Sequence, residues 1–204
     1  MRPEAIEQAS MAIIAKELGE HAIPGERLPI VMRVIHATAD FDFARTLAFS
    51  EDAVRAGQEA LLRGVTVVTD TQMAASGVNK KLMSANGGSV RCYMAGEDVA
   101  AEAEARGVTR AVVSMEHAAR DVPDAIFAIG NAPTALLRLC ELVAEGTARP
   151  SLVIGVPVGF VNVVESKEVL MRTGVPWIAA VGRKGGSPAA AAIVNALLLS
   201  MQKK

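Results

Sequence analysis

IGNAPTAL at 129–136, PSLVIGVPVGFVNVVESK at 150–167 and VGRKGGSPAAA at 181–191 are the stretches whose reading decides the fold. In each, a β-branched apolar run ends in glycine. A small polar residue and a helix-forming segment follow within a few residues. That is the pattern of a strand tip feeding a helix N-terminus. Such junctions present unpaired N–H groups and the positive end of a helix dipole, so they suit anions. Three of them between Ile129 and Ala191 point to a ligand that carries several negative charges.

The flanking sequence extends the alternation. Strands are expected at 65–70 (VTVVTD), 90–94 (VRCYM), 109–115 (TRAVVSM), 125–130 (AIFAIG), 152–156 and 177–181. Helices are expected over 3–18, 50–63 with Ser50 as N-cap, 97–107 closed by Gly107, 131–145, 162–172 and 187–201. Residues 19–30, with Gly19, Pro24, Gly25 and Pro29, read as a loop, and RVIHATAD at 33–40 as a short strand or an irregular connection. Alternating strands and helices predict an α/β protein with a mostly parallel sheet covered on both faces. In such sheets ligands bind beyond the carboxyl ends of the strands, where all three motifs fall. With no repeat, linker or low-complexity tract, residues 1–204 read as a single domain.

Composition narrows the function. One Trp, one Tyr and a net charge of −1 exclude a base-stacking platform and a basic footprint, so no nucleic-acid partner is expected. No apolar run approaches the ~18 residues of a membrane span, so no membrane partner is expected. The segment MRPEAIEQASMAII is amphipathic and acidic, unlike a signal peptide. Cys92 and Cys140 lack CxxC spacing and read as buried thiols of a reducing cytoplasm.

Each motif has a plain reading and a functional one. In Gly182–Pro188, Ser187 suits an N-cap and Pro188 the first helical position. Its glycines admit a ligand close to the backbone, and Arg183 can grip a carboxylate with two prongs; otherwise it is a turn with solvated charges. No GxGxxG or GxxxxGK[ST] pattern occurs, so nucleotide phosphate lacks its signature. Asn131 is a candidate cap ahead of Pro133, and Asn162 with Glu165 forms a capping-box-like pair. Lys167 then lies on the second turn, reaching a ligand or standing solvated. His21 reads as an exposed loop residue and His117 as a helix-surface residue. His36 sits between apolar residues and the polar pair Thr38 and Asp40, so it is a satisfied core histidine or a general acid–base. The histidines lack metal-ligand spacing, and neither a GxSxG elbow nor a cysteine nucleophile signature is present.

Taken in order, the motifs resemble the precorrin-8X methylmutase (precorrin isomerase) family of corrin-ring biosynthesis, which includes enzymes for cobalt-precorrin-8. The matching elements are Ile6-Glu7 with Ser10, Arg33-Val34-Ile35-His36, Asp70-Thr71-Gln72-Met73, Thr109-Arg110-Ala111, IGNAPTAL, Pro157–Val161, Glu165-Ser166-Lys167 and Gly182–Ser187. They span nearly the whole chain. One departure is Ala74–Gly77 after Met73, where the family often has a valine.

The resemblance implies a three-layer, flavodoxin-like α/β/α fold, a homodimer and an isomerase without a dissociable cofactor or bound metal. The implied substrate is a reduced tetrapyrrole with acetate and propionate arms, whose ring C methyl moves from C11 to C12 to give hydrogenobyrinate or cobyrinate. It implies His36 as the proton donor that eases a [1,5]-sigmatropic shift. It implies Ser10, Arg33, Thr71, Arg110, Asn131, Thr134, Lys167, Arg183, Gly185, Gly186 and Ser187 as substrate-binding residues. Two other classes compete: a non-catalytic corrinoid or tetrapyrrole carrier, against which the intact His36 counts, and a phosphate-binding enzyme of similar architecture, against which the missing phosphate-loop signatures count.

Overall fold

The computed structural model describes residues 2–203. The strands are β1 (Leu47–Phe49), β2 (Thr66–Thr69), β3 (Ser89–Arg91), β4 (Ile126–Ile129), β5 (Leu152–Gly155) and β6 (Trp177–Ala180). They form one sheet in the order β1-β6-β5-β4-β2-β3, parallel except that β1 runs antiparallel to β6. Counted among themselves, the parallel strands stand 2-1-3-4-5, the flavodoxin-like order, which reverses between β2 and β4. The register pairs Thr69 with Ala128, Ile129 with Gly155 and Gly155 with Ala179. It therefore lines up the residues that follow these strands along one carboxyl edge.

The helices are α1 (Pro3–Leu18), α2 (Leu28–Thr38), α3 (Phe43–Thr46), α4 (Ala53–Leu62), α5 (Gln72–Gly77), α6 (Lys80–Ala85), α7 (Glu97–Arg106), α8 (Arg110–Asp121), α9 (Pro133–Ala144), α10 (Val163–Met171) and α11 (Ser187–Ser200). β4 and β5 are buried along their whole length, as strands covered on both faces must be. Period-2 alternation divides β4 between two cores: Ile126 and Ala128 meet α2, α4 and α11, while Phe127 and Ile129 meet α8, α9 and α10. α11 is apolar nearly all round because it packs on β4 and β5 and also on α2.

The structure corrects several expectations. Residues 33–40 are neither strand nor irregular connection: α2 begins at Leu28, so the preceding loop ends at Arg27. Ile30, Val31, Val34 and Ile35 recur at helical spacing and form its buried face, which outweighs their β-branched character. Residues 109–115 are not a strand but the cap and first turns of α8, where the Thr109 hydroxyl accepts from the Val112 amide at 3.4 Å. Ala111, Met115 and Ala118 supply its buried stripe towards the sheet, and Val113 of the Val112-Val113 pair that suggested a strand is buried against Val99 and Ala103 of α7.

Four capping expectations also change. Ser50 does not cap α4; its Oγ accepts from the Trp177 amide at 2.9 Å and ties β1 to β6. Gly186 rather than Ser187 precedes α11, and Ala132 rather than Asn131 precedes α9. Asn162 adopts a left-handed φ of 56° and makes no side-chain cap, so its pair with Glu165 does not form. His117 is buried, not on the surface, with Nε2 2.8 Å from Glu102. Cys140 is buried as expected, whereas Cys92 is half-buried. The sequence pattern also passed over β1, α3, α5 and α6, which are too short for periodicity to register.

Candidate active site

Asp70 follows β2 at the switch point and is fully buried. Its Oδ1 accepts from the Gly130 amide at 2.9 Å, and Oδ2 from the Asn131 and Ala132 amides at 2.7 Å each. The approach to α9 is thus closed by a carboxylate from sixty residues earlier. Burial raises the Asp70 carboxyl above its ordinary value, against the pull of the three amides. This crevice, where related folds seat an anionic ligand, is filled from within. Asn131 keeps an exposed side chain there. Thr134 Oγ1 accepts from Thr109 Oγ1 at 3.4 Å, so Asn131, Thr134 and the exposed Arg110 gather on one side of the edge.

The tips of β2, β4 and β6 meet beside it. Thr71 caps α5 by accepting from the Ala74 amide at 3.1 Å, and its hydroxyl lies 2.8 Å from that of Ser187. A Cβ on Gly130 would stand 2.8 Å from the Ser187 backbone, so only glycine lets α11 come this close.

Beyond β5 and β6, two loops are stitched together. The Gly186 amide donates to Val156 O at 2.8 Å, and the Gly159 amide to Arg183 O at 3.2 Å. A Cβ on Gly185 would run into the Val156 carbonyl oxygen, which explains the glycine. Lys167 is buried beneath this loop, its Nζ donating to Gly182 O and Lys184 O at 2.8 Å each. Burial lowers its pKa to about 8. Lys167 therefore pegs the loop rather than standing solvated. Arg183 is exposed, with its guanidinium 5.6 Å from the centre of the Phe160 ring, itself 83% exposed. No carboxylate pairs with Arg183 among the described residues.

His36 lies in the last turn of α2, exposed, on a shallow pocket of about 240 Å³ walled by Ser10, Ile13, Ile35, Ala39 and Phe41. The Ser10 hydroxyl donates to Ile6 O at 2.9 Å, leaving its lone pairs open. Ala39 ends α2 in a left-handed conformation (φ 53°), a strain of about 1–2 kcal/mol for a residue with a Cβ. Arg33, one turn earlier, is held by Glu7 at 2.7 Å and lines a different cavity with Ala196 and Leu199. The structure therefore places Arg33 at the far end of α11 from Ser187, away from the strand tips. Both thiols are held protonated by burial, Cys140 pushed up to about 12, so neither is poised as a nucleophile. No cluster of three His, Cys, Asp or Glu side chains is arranged for a metal among the described residues.

Sequence reasoning missed the capping role of Asp70, whose partners are far away in the chain, and the platform of Phe160, which no local signal announces. It also missed Lys184, which reaches Asp40 and Asp42 at 2.7 and 2.6 Å.

A flavodoxin-like parallel sheet with exposed Arg110 and Arg183 at its carboxyl edge and an exposed His36 at the end of α2 defines a doubly wound α/β protein. Residues 5–200 match the family model for precorrin-8X methylmutase. The chain is 47% identical to the cobalt-precorrin-8 methylmutase of Priestia megaterium, over 97% of this chain and 88% of that one. It is 42% identical to the precorrin-8X methylmutase of Pseudomonas aeruginosa, over 95% and 94%. A crystal structure of precorrin-8X methylmutase from Thermus thermophilus superposes with a TM-score of 0.90 at 42% identity, covering 96% of this chain and 95% of that one. The chain belongs to the precorrin-8X methylmutase family, intramolecular methyl-transferring isomerases of cobalamin biosynthesis.

Proposed function

We propose that this chain moves the ring C methyl group from C11 to C12 of precorrin-8X or cobalt-precorrin-8, with His36 as the proton donor. The observation that carries the reading is an exposed imidazole at the end of a helix, on a pocket of about 240 Å³ with apolar walls that Ser10 and Glu17 also line. The bond from the methyl group to C11 breaks and one to C12 forms within a single molecule, so nothing leaves and nothing is oxidised. The imidazolium lends a proton to the ring as the methyl migrates and takes one back afterwards, leaving the enzyme unchanged. The apolar side chains Ile13, Ile35 and Phe41 offer a surface for the ring. Arg183 and the Gly185–Ser187 turn hold carboxylate arms, and Arg110, Asn131 and Thr134 form a second polar contact. Thr71 orders the turn through Ser187, and Arg33 meets an arm only on the α1 side.

The reading extends to a homodimer in the cytoplasm. Exposed Phe160, Val161, Met73 and Ile13 are large apolar side chains of the kind a second copy covers, and both cysteines are unpaired. No described helix is long and apolar enough to cross a membrane.

The shift changes the conjugated system, so turnover is followed by absorbance. Replacing His36 with Ala should lower turnover about a hundred- to ten-thousandfold while leaving product binding intact. A variant that turns over at the parental rate would falsify the assignment. Running the assay with metal-free and cobalt-containing substrate assigns the route.

A further inference from the structure

We propose that Lys184 is a positioning residue for the methyl shift, tying the loop that carries Arg183, Gly185 and Gly186 to the turn that walls the His36 pocket. It has this role only if His36 and the 182–187 loop act as proposed above.

Lys184 Nζ lies 2.7 Å from Asp40 Oδ2 and 2.6 Å from Asp42 Oδ2. Both carboxyls are held below their ordinary values, chiefly by their hydrogen bonds to this ammonium. Asp40 is fixed from its other side as well. Its Oδ1 accepts from the Asp42 amide at 2.9 Å, and its own amide donates to Thr38 Oγ1 at 3.3 Å. The turn so held runs from Ala39, in its left-handed conformation, through Phe41, and both residues wall the His36 pocket. At the other end, the Lys184 carbonyl accepts from Lys167 Nζ at 2.8 Å, so the backbone from which the side chain springs is itself pegged to α10. The connection runs unbroken from α10, through the anion-holding loop, to the end of the histidine's helix.

Stability does not account for this convergence. Lys184 and Asp42 are both partly exposed, and exposed ion pairs contribute little to folding. What two carboxylates on one ammonium do fix is a span. The neighbouring tie between these regions, the Val181 amide to Thr46 O at 2.7 Å, holds the end of α3 and does not itself reach the Ala39–Phe41 turn. A substrate gripped by its arms at Arg183 must present ring C to an imidazole on another element. Misplacement by an ångström lowers such a rate about a hundredfold.

The test compares K184M, K184R and the D40N/D42N double variant with the parent. Each is measured for product affinity, turnover at saturating substrate and thermal stability. K184M should fold and bind product within about threefold of the parent, because Arg183 and the Lys167 peg remain. Its turnover should fall about ten- to a hundredfold. K184R should recover most of that loss, since a guanidinium can also bridge two carboxylates, and D40N/D42N should reproduce K184M. Turnover of K184M within twofold of the parent overturns the proposal. So does a loss of turnover that merely tracks a loss of stability and of binding. H36A, assayed in parallel, separates the two ideas. An inactive H36A beside a fully active K184M sinks Lys184 alone. An active H36A sinks the histidine assignment and, with it, the registration of the loop against the His36 pocket, whatever K184M does.

Discussion

The starts of α9 and α11 read alike in sequence, each a glycine-ended strand followed by small polar residues and a proline, yet the folded chain uses them in opposite ways. At α9 the Asp70 carboxylate takes the Gly130, Asn131 and Ala132 amides, so the helix dipole already meets a negative charge. At α11 Gly186 stands before the first turn with no side-chain cap, and the exposed Arg183 lies three residues away. A helix N-terminus in the sequence is thus only a potential anion site. Whether it is open depends on what another strand brings to it. Here the 130–132 amides are taken by Asp70 and keep a structural role; the function proposed above gives a carboxylate arm to the 183–187 loop instead.

The strongest way to break this contrast is to remove the internal anion. Asp70→Ala leaves one buried and two part-buried amides without their acceptor and should lower unfolding stability by about 3–5 kcal/mol in urea titrations. The vacated place would then resemble an open anion site. Added inorganic phosphate should therefore stabilise the variant more than the parent. Equal stability of variant and parent would mean that the amides are satisfied by other groups, and the contrast would dissolve.

A smaller effect is expected on the open side. Arg183→Ala removes a charge-assisted hydrogen bond and should weaken product binding by about 1.5–3 kcal/mol, roughly ten- to a hundredfold. Asn131→Ala, beside the closed helix start, should weaken it less. Calorimetric titration of the two variants ranks them directly. The reverse ranking would move the principal arm to the Arg110–Thr134 side.

The sequence made legible what depends on near neighbours. β4 and β5 are continuous apolar runs, and the motifs fall at the carboxyl edge that parallel topology reserves for ligands. It misled where two readings share the same letters. RVIHATAD is rich in β-branched residues, but the residues before it, Ile30 and Val31, complete a helical stripe with Val34 and Ile35. TRAVVSM has the same fault, since Thr109 starts a helix as readily as it precedes a strand. In the candidate site, Arg183 and the glycines were visible because their signal is local. Asp70, Lys184 and the peg under the loop were not, because their partners lie 15 to 142 residues away in the chain. Long-range polar pairing leaves no periodic trace.

Lys167 offers the finest test, because its motif suggests contact with ligand and its burial suggests a peg. Folding lowers its pKa from 10.5 to about 8, chiefly through desolvation. The unfolded chain therefore binds more protons than the folded one between those values. Stability rises with pH wherever the unfolded state holds the extra proton. The penalty for burying the charge is thus fully present below pH 8 and is relieved towards 10.5. Both hydrogen bonds survive the change, because a neutral amine still has two N–H donors for Gly182 O and Lys184 O. Lys167→Met removes the titration and leaves two carbonyls unpaired. Urea midpoints at about pH 7.5 and about pH 9.5 should show the parent gaining on the order of 1 kcal/mol relative to Lys167→Met. A lysine that stood in solvent or waited for a ligand would titrate near its ordinary value, and the two proteins would keep the same difference at both pH values. A constant difference would therefore return Lys167 to the ligand-facing side of the loop.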